Sequence, residues 1–210
     1  MLSSVFNTTM LCCANIVCQF CAFNEVSLML RRFNIPRSVG PERYICLIVT
    51  TAAVSYLARE QLYLTAVIMI AFYGFLSLMG CMDLNSCLLP RIHTVTFLLT
   101  GVAFRIWQGD LLSGLICSFF IFFIMLSVRK IFAYKNGTES LGFGDVLLMT
   151  GTGMWFPSPV TASSIVLAAS CGGIIFFIIC RMNKKEKHIP FGPFLCGAMF
   201  IYSLIPGTLF

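Results

Sequence analysis

The sequence predicts an all-α polytopic membrane protein of about eight transmembrane helices, N-terminus outside, built as one domain over residues 1–210. Three observations carry that expectation. Hydrophobic residues make up 59% of the chain and charged residues 10%, with a mean hydropathy of +0.92, whereas average soluble chains carry about 25% charged residues. The apolar residues fall in long runs separated by short polar joints. The basic residues collect on alternate joints.

Crossing the hydrocarbon takes about 20 apolar residues, with roughly 17–25 typical. The first run, Val5–Phe23, has no basic segment before it and no small-residue cleavage site. It reads as a retained helix rather than a removed signal peptide. Tyr44–Ala58 is short for a span, Leu62–Met82 is ample, and Ile92–Trp107 and Leu111–Val128 flank the joint Gln108-Gly109-Asp110. Val146–Phe156 is too short alone; it needs a tilted neighbour or a start inside the preceding Gly142–Asp145 turn. Val160–Met182 and Phe191–Phe210 complete the set.

Eight spans with the N-terminus outside give a lopsided charge distribution. The inner joints hold Arg31, Arg32, Arg37, Arg43, Arg91, Arg129, Lys130, Lys135, Arg181, Lys184, Lys185 and Lys187, which is 12 of the 14 basic residues. Only Arg59 and Arg105 remain for the outer side. Basic residues favour the cytoplasmic side of a membrane, so the net charge of +6 is mainly a topology signal, reinforced by anionic lipid headgroups. No basic stretch is interleaved with stacking aromatics, which argues against a nucleic-acid partner. The 21 Phe suit lipid-facing helices instead. The 11 Cys lie in or beside apolar runs, where cysteine behaves as a small hydrophobe. Cys18-x-x-Cys21 lacks the second pair that a zinc ribbon needs, so no metal site is expected.

Against this background two acids stand out. The chain has three aspartates, and two of them sit where a membrane protein can least accommodate a charge. Asp83 directly follows the run Leu62–Met82, and Asp145 closes Gly142-Phe143-Gly144-Asp145 at the start of another apolar stretch. An ionised carboxylate inside a transmembrane helix costs about 2.5–3.5 kcal/mol, so such residues are usually functional. The topology puts both at the cytoplasmic surface. Two carboxylates at hydrogen-bonding distance share a proton. One can then take a proton from water while the other donates to a scissile carbonyl. Peptide hydrolysis by such a pair needs no metal or cofactor. Gly142 and Gly144 are expected to supply backbone geometry closed to other residues and close approach for a substrate chain. Taken singly, each has a simpler structural reading that outweighs the catalytic one, Asp83 as an interfacial residue and Gly142–Asp145 as a turn with an Asp helix cap.

Three ordered blocks go further. Asp83-Leu-Asn-Ser-Cys-Leu-Leu-Pro90, Gly142-Phe143-Gly144-Asp145 and Ile189-Pro190-Phe191-Gly192-Pro193-Phe194 resemble the type IV prepilin peptidases, the bacterial branch of the GxGD intramembrane aspartic proteases. A weaker fourth block, Phe23-Asn24-Glu25-Val26, resembles the segment that ends the family's first helix. The resemblance implies that Asp83 and Asp145 are catalytic, with Pro90, Gly142, Gly144, Pro190, Phe191, Gly192 and Pro193 as supporting or substrate-binding residues. It also implies a substrate: a type IV prepilin or pseudopilin whose short basic leader is cut after glycine at the cytoplasmic face of the inner membrane. Four departures stand beside it. Leu147 occupies a position where the family usually has lysine, and Arg91 follows Pro90 where Asp or Asn is common. Only Arg31–Arg43 replaces the cytoplasmic cysteine domain of larger members, and with it goes the expectation of N-methylation.

The segment Ile189–Pro193 is expected as an irregular turn bordering the active site, with a helix start carrying proline in its first turn as the equal alternative. Glu42, Glu139 and Glu186 could contact leader lysines, but each reads more simply as a solvated loop acid. Two further readings compete with leader cleavage: a GxGD protease of other membrane substrates, and a proton-coupled transporter using the acids as a relay. A structural subunit, indifferent to loss of both acids, is a third.

Overall fold

The computed structural model describes residues 2–35, 40–59, 63–136, 142–182, 190–205 and 208. Arg37, Glu139, Glu186 and Ile189 lie outside these residues, as do the lysines at 184, 185 and 187. Among the described residues every regular element is an α-helix, and there are eight. The chain divides into two compact units, Met1–Ser86 and Cys87–Phe210.

The first unit contains α1 (Leu2–Arg32), α2 (Glu42–Arg59) and α3 (Tyr63–Ser86), each packed on the other two. The fold runs past the apolar limits read from the sequence. Thus α1 continues through Asn24, Glu25 and Arg31, and α3 continues through Asp83 and Asn85. Helix α1 ends where Asn34 takes a left-handed conformation (φ 54°), with the Ile35 N–H donating back to the Leu30 carbonyl. Within the bundle, the Asn15 amide donates to the Thr50 and Thr51 hydroxyls, joining α1 to α2. The Cys18 thiol points at the Ile70 carbonyl of α3. Gly74 makes room for it, since a Cβ there would lie 2.7 Å from the Cys18 sulfur.

The second unit contains α4 (Arg91–Gln108), α5 (Leu111–Asn136), α6 (Phe143–Trp155), α7 (Pro159–Met182) and α8 (Gly192–Ser203). Its core is α6, buried from Val146 to Trp155 except at Leu147. This helix begins inside the glycine turn, as one sequence reading allowed. Its 13 residues rise about 20 Å, short of the roughly 30 Å hydrocarbon layer. Small residues bring its neighbours close. A Cβ on Gly151 would meet the Phe97 ring of α4 at 2.7 Å, and one on Gly153 the Ser118 backbone of α5 at 2.7 Å. The far end of α6 is closed by Arg105, only 2% exposed, whose guanidinium donates to the carbonyls of Met154 and Trp155 and to Gln108. A cation there satisfies helix-end acceptors and opposes the negative end of the helix dipole. Arg105 is therefore a buried cap, a role that counting basic residues by joint does not reveal. Gly109, at φ 78°, ends α4 in a left-handed turn with the Asp110 N–H on the Arg105 carbonyl.

Among the described residues four helical stretches are long and apolar enough to cross a membrane: Phe6–Arg32, Leu64–Ser86, Leu111–Ile131 and Pro159–Phe176. Their large outward side chains include Phe20, Leu64, Leu112, Phe119, Phe123 and Ile174. Monomeric soluble proteins rarely expose so many large apolar side chains, and this chain is a multi-pass membrane protein.

Candidate active site

Asp83 lies in the last turn of α3 rather than after it. It is 4% exposed, and Met79 and Met82 beside it are fully buried. The helix runs on past the acid, and two polar side chains of that turn bond back to the preceding one. Asn85 donates to the Cys81 carbonyl and Ser86 to the Met82 carbonyl. It stops at Cys87, whose left-handed φ of 51° costs a non-glycine residue about 1–2 kcal/mol.

A latch closes on the same turn. The Glu42 carboxylate accepts from the Gly40 N–H at 2.7 Å and from the Asn85 amide at 3.0 Å, tying the start of α2 to the last turn of α3. Partial burial would push this carboxyl up. The bonds from Asn85, its own N–H and Gly40, with Arg43 nearby, outweigh burial and hold it below its ordinary value. Glu42 is therefore not the solvated loop acid that its sequence context suggests.

Asp145 stands in the first turn of α6. Gly142 is the N-cap, with φ −64° and ψ 146°, an extended conformation open to any residue. Gly144 has no positive φ either. Space is what these positions use, and Gly144 is the one hemmed in by backbone. A Cβ on Gly142 would come within 3.0 Å of Asp145 Oδ2, and one on Gly144 within 2.7 Å of the Leu89 carbonyl oxygen. The missing side chains thus let the Asp145 carboxylate fold back over its own cap and let the Leu89–Pro90 segment lie against the first turn of α6. Pro90 is the N-cap of α4, its carbonyl accepting from the His93 N–H. Arg91 and Arg129 both stack on the Phe143 ring, at 5.4 and 5.5 Å. Arg91, a departure from the family pattern, thus packs on the variable residue of the glycine tetrad, and nothing in its sequence neighbourhood announced this.

The proline-rich segment takes the plainer of its two expected forms. Phe191 caps α8, Gly192 begins it and Pro193 sits in its first turn. Pro190 is buried. The segment packs on α7, where Gly173 faces the Phe191 ring and Gly172 the Phe194 ring. Among the described residues no three His, Cys, Asp or Glu side chains cluster as a metal site would require.

Comparison with known proteins bears on this geometry. Residues 70–179 match the model of the type IV leader peptidase family. The leader peptidase HopD of Escherichia coli is 30% identical over 142 residues, covering 60% of this chain and 90% of HopD. The type 4 prepilin-like proteins leader peptide-processing enzyme of Escherichia coli O78:H11 is 33% identical over 119 residues, 54% of this chain. The prepilin leader peptidase/N-methyltransferase of Aeromonas salmonicida (strain A449) is 30% identical over 123 residues, 57% of this chain. The match spans only 42% of the length of each of the latter two. No solved structure matches.

Proposed function

This chain belongs to the type IV leader peptidase family, and from that premise we propose that it is an intramembrane aspartic endopeptidase. Its substrates are type IV prepilins or prepilin-like proteins, whose short basic leader it removes by cutting after glycine. The cut is made at the cytoplasmic face of the inner membrane by Asp83 and Asp145 acting together. The observation that supports this most is that the family match encloses both aspartates, one of them buried in a helix able to cross a membrane. N-methylation forms no part of the proposal.

The positions of the two acids suggest a division of labour. Asp145, at the positive end of α6, enters as the carboxylate and takes a proton from water. The water oxygen bonds to the scissile carbonyl carbon while Asp83, at the negative end of α3, gives its proton to the carbonyl oxygen. The resulting diol collapses. Asp145 passes its proton to the leaving nitrogen as the C–N bond breaks, and Asp83 recovers one from the diol. Leu89, Pro90 and Gly144 hold the first turn of α6 in register for this, and Glu42 with Asn85 steadies the turn bearing Asp83.

The test is co-expression of a prepilin with wild type, Asp83→Asn or Asp145→Asn, following leader loss by mass spectrometry. Asparagine keeps the size and removes the acid–base function. Both variants should fail to cleave at membrane levels equal to wild type. Wild-type cleavage by either would remove that aspartate from the mechanism.

A further inference from the structure

The block Phe23–Val26 plays no part in the proposed chemistry, yet two of its residues line a groove of about 400 Å³ within the first unit. That volume falls in the range of roughly 300–1,000 Å³ typical of small-ligand sites. Its walls come from α1 and α2 alone: Ile16, Phe20, Phe23, Asn24, Ser27, Arg43, Tyr44 and Leu47. On α1 the apolar members Ile16, Phe20 and Phe23 follow helical spacing along one stripe, and Asn24 and Ser27 continue it toward Arg31. Because α2 returns alongside α1, Arg43 and Tyr44 at its start fall at the same end as Asn24 and Ser27. The groove is therefore apolar for most of the roughly 16 Å between Ile16 and Ser27 and polar at one end.

We infer that this groove holds an anionic phospholipid, one acyl chain against Ile16, Phe20, Phe23 and Leu47 and the phosphate at Arg43. The chemistry fits at both ends. Phe20 is 76% exposed and Ile16 42%, on a helix able to cross a membrane, so the apolar part opens to acyl chains. At the polar end Arg43 is exposed and oriented. Its guanidinium lies 4.7 Å over the Tyr44 ring and donates to the Tyr44 hydroxyl at 2.8 Å. Pre-ordering of this kind leaves a guanidinium face for a phosphate, and basic residues at a membrane surface attract anionic lipid. Charge also separates the possible occupants. A second apolar helix would leave Arg43 facing hydrocarbon, and a substrate with a basic leader would meet it with like charge.

The full chain, purified in detergent, should be titrated with phosphatidylglycerol and with phosphatidylcholine of the same acyl chains, and bound lipid counted by native mass spectrometry. Wild type should retain one phosphatidylglycerol at concentrations where phosphatidylcholine is not retained. Arg43→Gln should lower that retention roughly five-fold, the loss expected for one basic residue at an anionic surface. Tyr44→Phe should lower it less, and Arg32→Gln, exposed but outside the groove, should leave it unchanged. Equal retention by Arg43→Gln and wild type would overturn the assignment, as would equal loss in Arg32→Gln or equal binding of the two lipids. Displacement by inorganic phosphate would make the ligand a free anion. Displacement by a prepilin apolar segment would give the groove to substrate. Either result would overturn the lipid assignment.

Discussion

Replacing Gly144 by alanine tests the claim that space, not backbone freedom, is what the glycine tetrad supplies. In a helix, alanine in place of glycine normally stabilises by up to about 1 kcal/mol. At Gly144 the added Cβ would stand 2.7 Å from the Leu89 carbonyl oxygen and 2.8 Å from Leu89 Cβ, closer than optimal carbon contact by roughly 0.7 Å or more. The nearest obstacle is backbone, so α6 or the Leu89–Pro90 segment must move. Overpacking of this kind costs about 1–3 kcal/mol and outweighs the propensity gain. Gly197, mid-helix and exposed in α8, is the control, because nothing lies within 4 Å of a Cβ there. Thermal unfolding in detergent should therefore move in opposite directions, at about 2–4 °C per kcal/mol for a chain of this size: down for Gly144→Ala and up for Gly197→Ala. Leader cleavage should fall roughly ten- to a hundred-fold in Gly144→Ala alone, because displacements near 1 Å misalign a reacting group. If Gly144→Ala is stabilised as much as Gly197→Ala and cleaves at the wild-type rate, the space argument is wrong.

Two further outcomes follow from the described packing. Arg105→Met should lower the unfolding midpoint and the amount of membrane-inserted protein. It strips a buried charge-assisted cap from α6, worth about 1.5–3 kcal/mol per bond to a charged group, and a midpoint matching wild type would exclude the capping role. Glu42 gives a pH signature. Its carboxyl is held below the ordinary value in the fold, so its stabilising effect is present above the unfolded value and is lost as pH falls through the folded one. Wild type should therefore lose thermal stability below about pH 4.5 more steeply than Glu42→Gln, and parallel profiles would refute the latch.

How much of this was legible follows from which forces are local. Helix number and order are written in apolar runs, and both aspartates announce themselves by standing beside such runs. Helix ends were less legible. Apolar counting stops at Met82, but α3 goes on through Asp83 to Ser86, where Asn85 and Ser86 bond back to carbonyls of the preceding turn. A glycine looks the same in sequence whether it needs positive φ or empty space, and Gly144 has no positive φ but needs the space. Only the position of Leu89 decides between them. The capping role of Arg105 is not legible because the two carbonyls it caps lie about fifty residues away. Glu42 looked solvated for the same reason, its partner Asn85 being 43 residues distant.

The brevity of α6 has one more consequence. Helices that face lipid must match the thickness of the bilayer by tilting, kinking or drawing the lipid in, at a modest cost per ångström. Helix α6 is buried along nearly its whole length, so it makes no such match. Thickening the bilayer acts on the outward faces of α5 and α7, while the depth of Asp145 is set by Gly151, Gly153 and the Arg105 cap against their protein neighbours. Mismatch therefore reaches Asp145 only through the helices packed on α6, as a passenger and not as part of a span that must itself fit the bilayer.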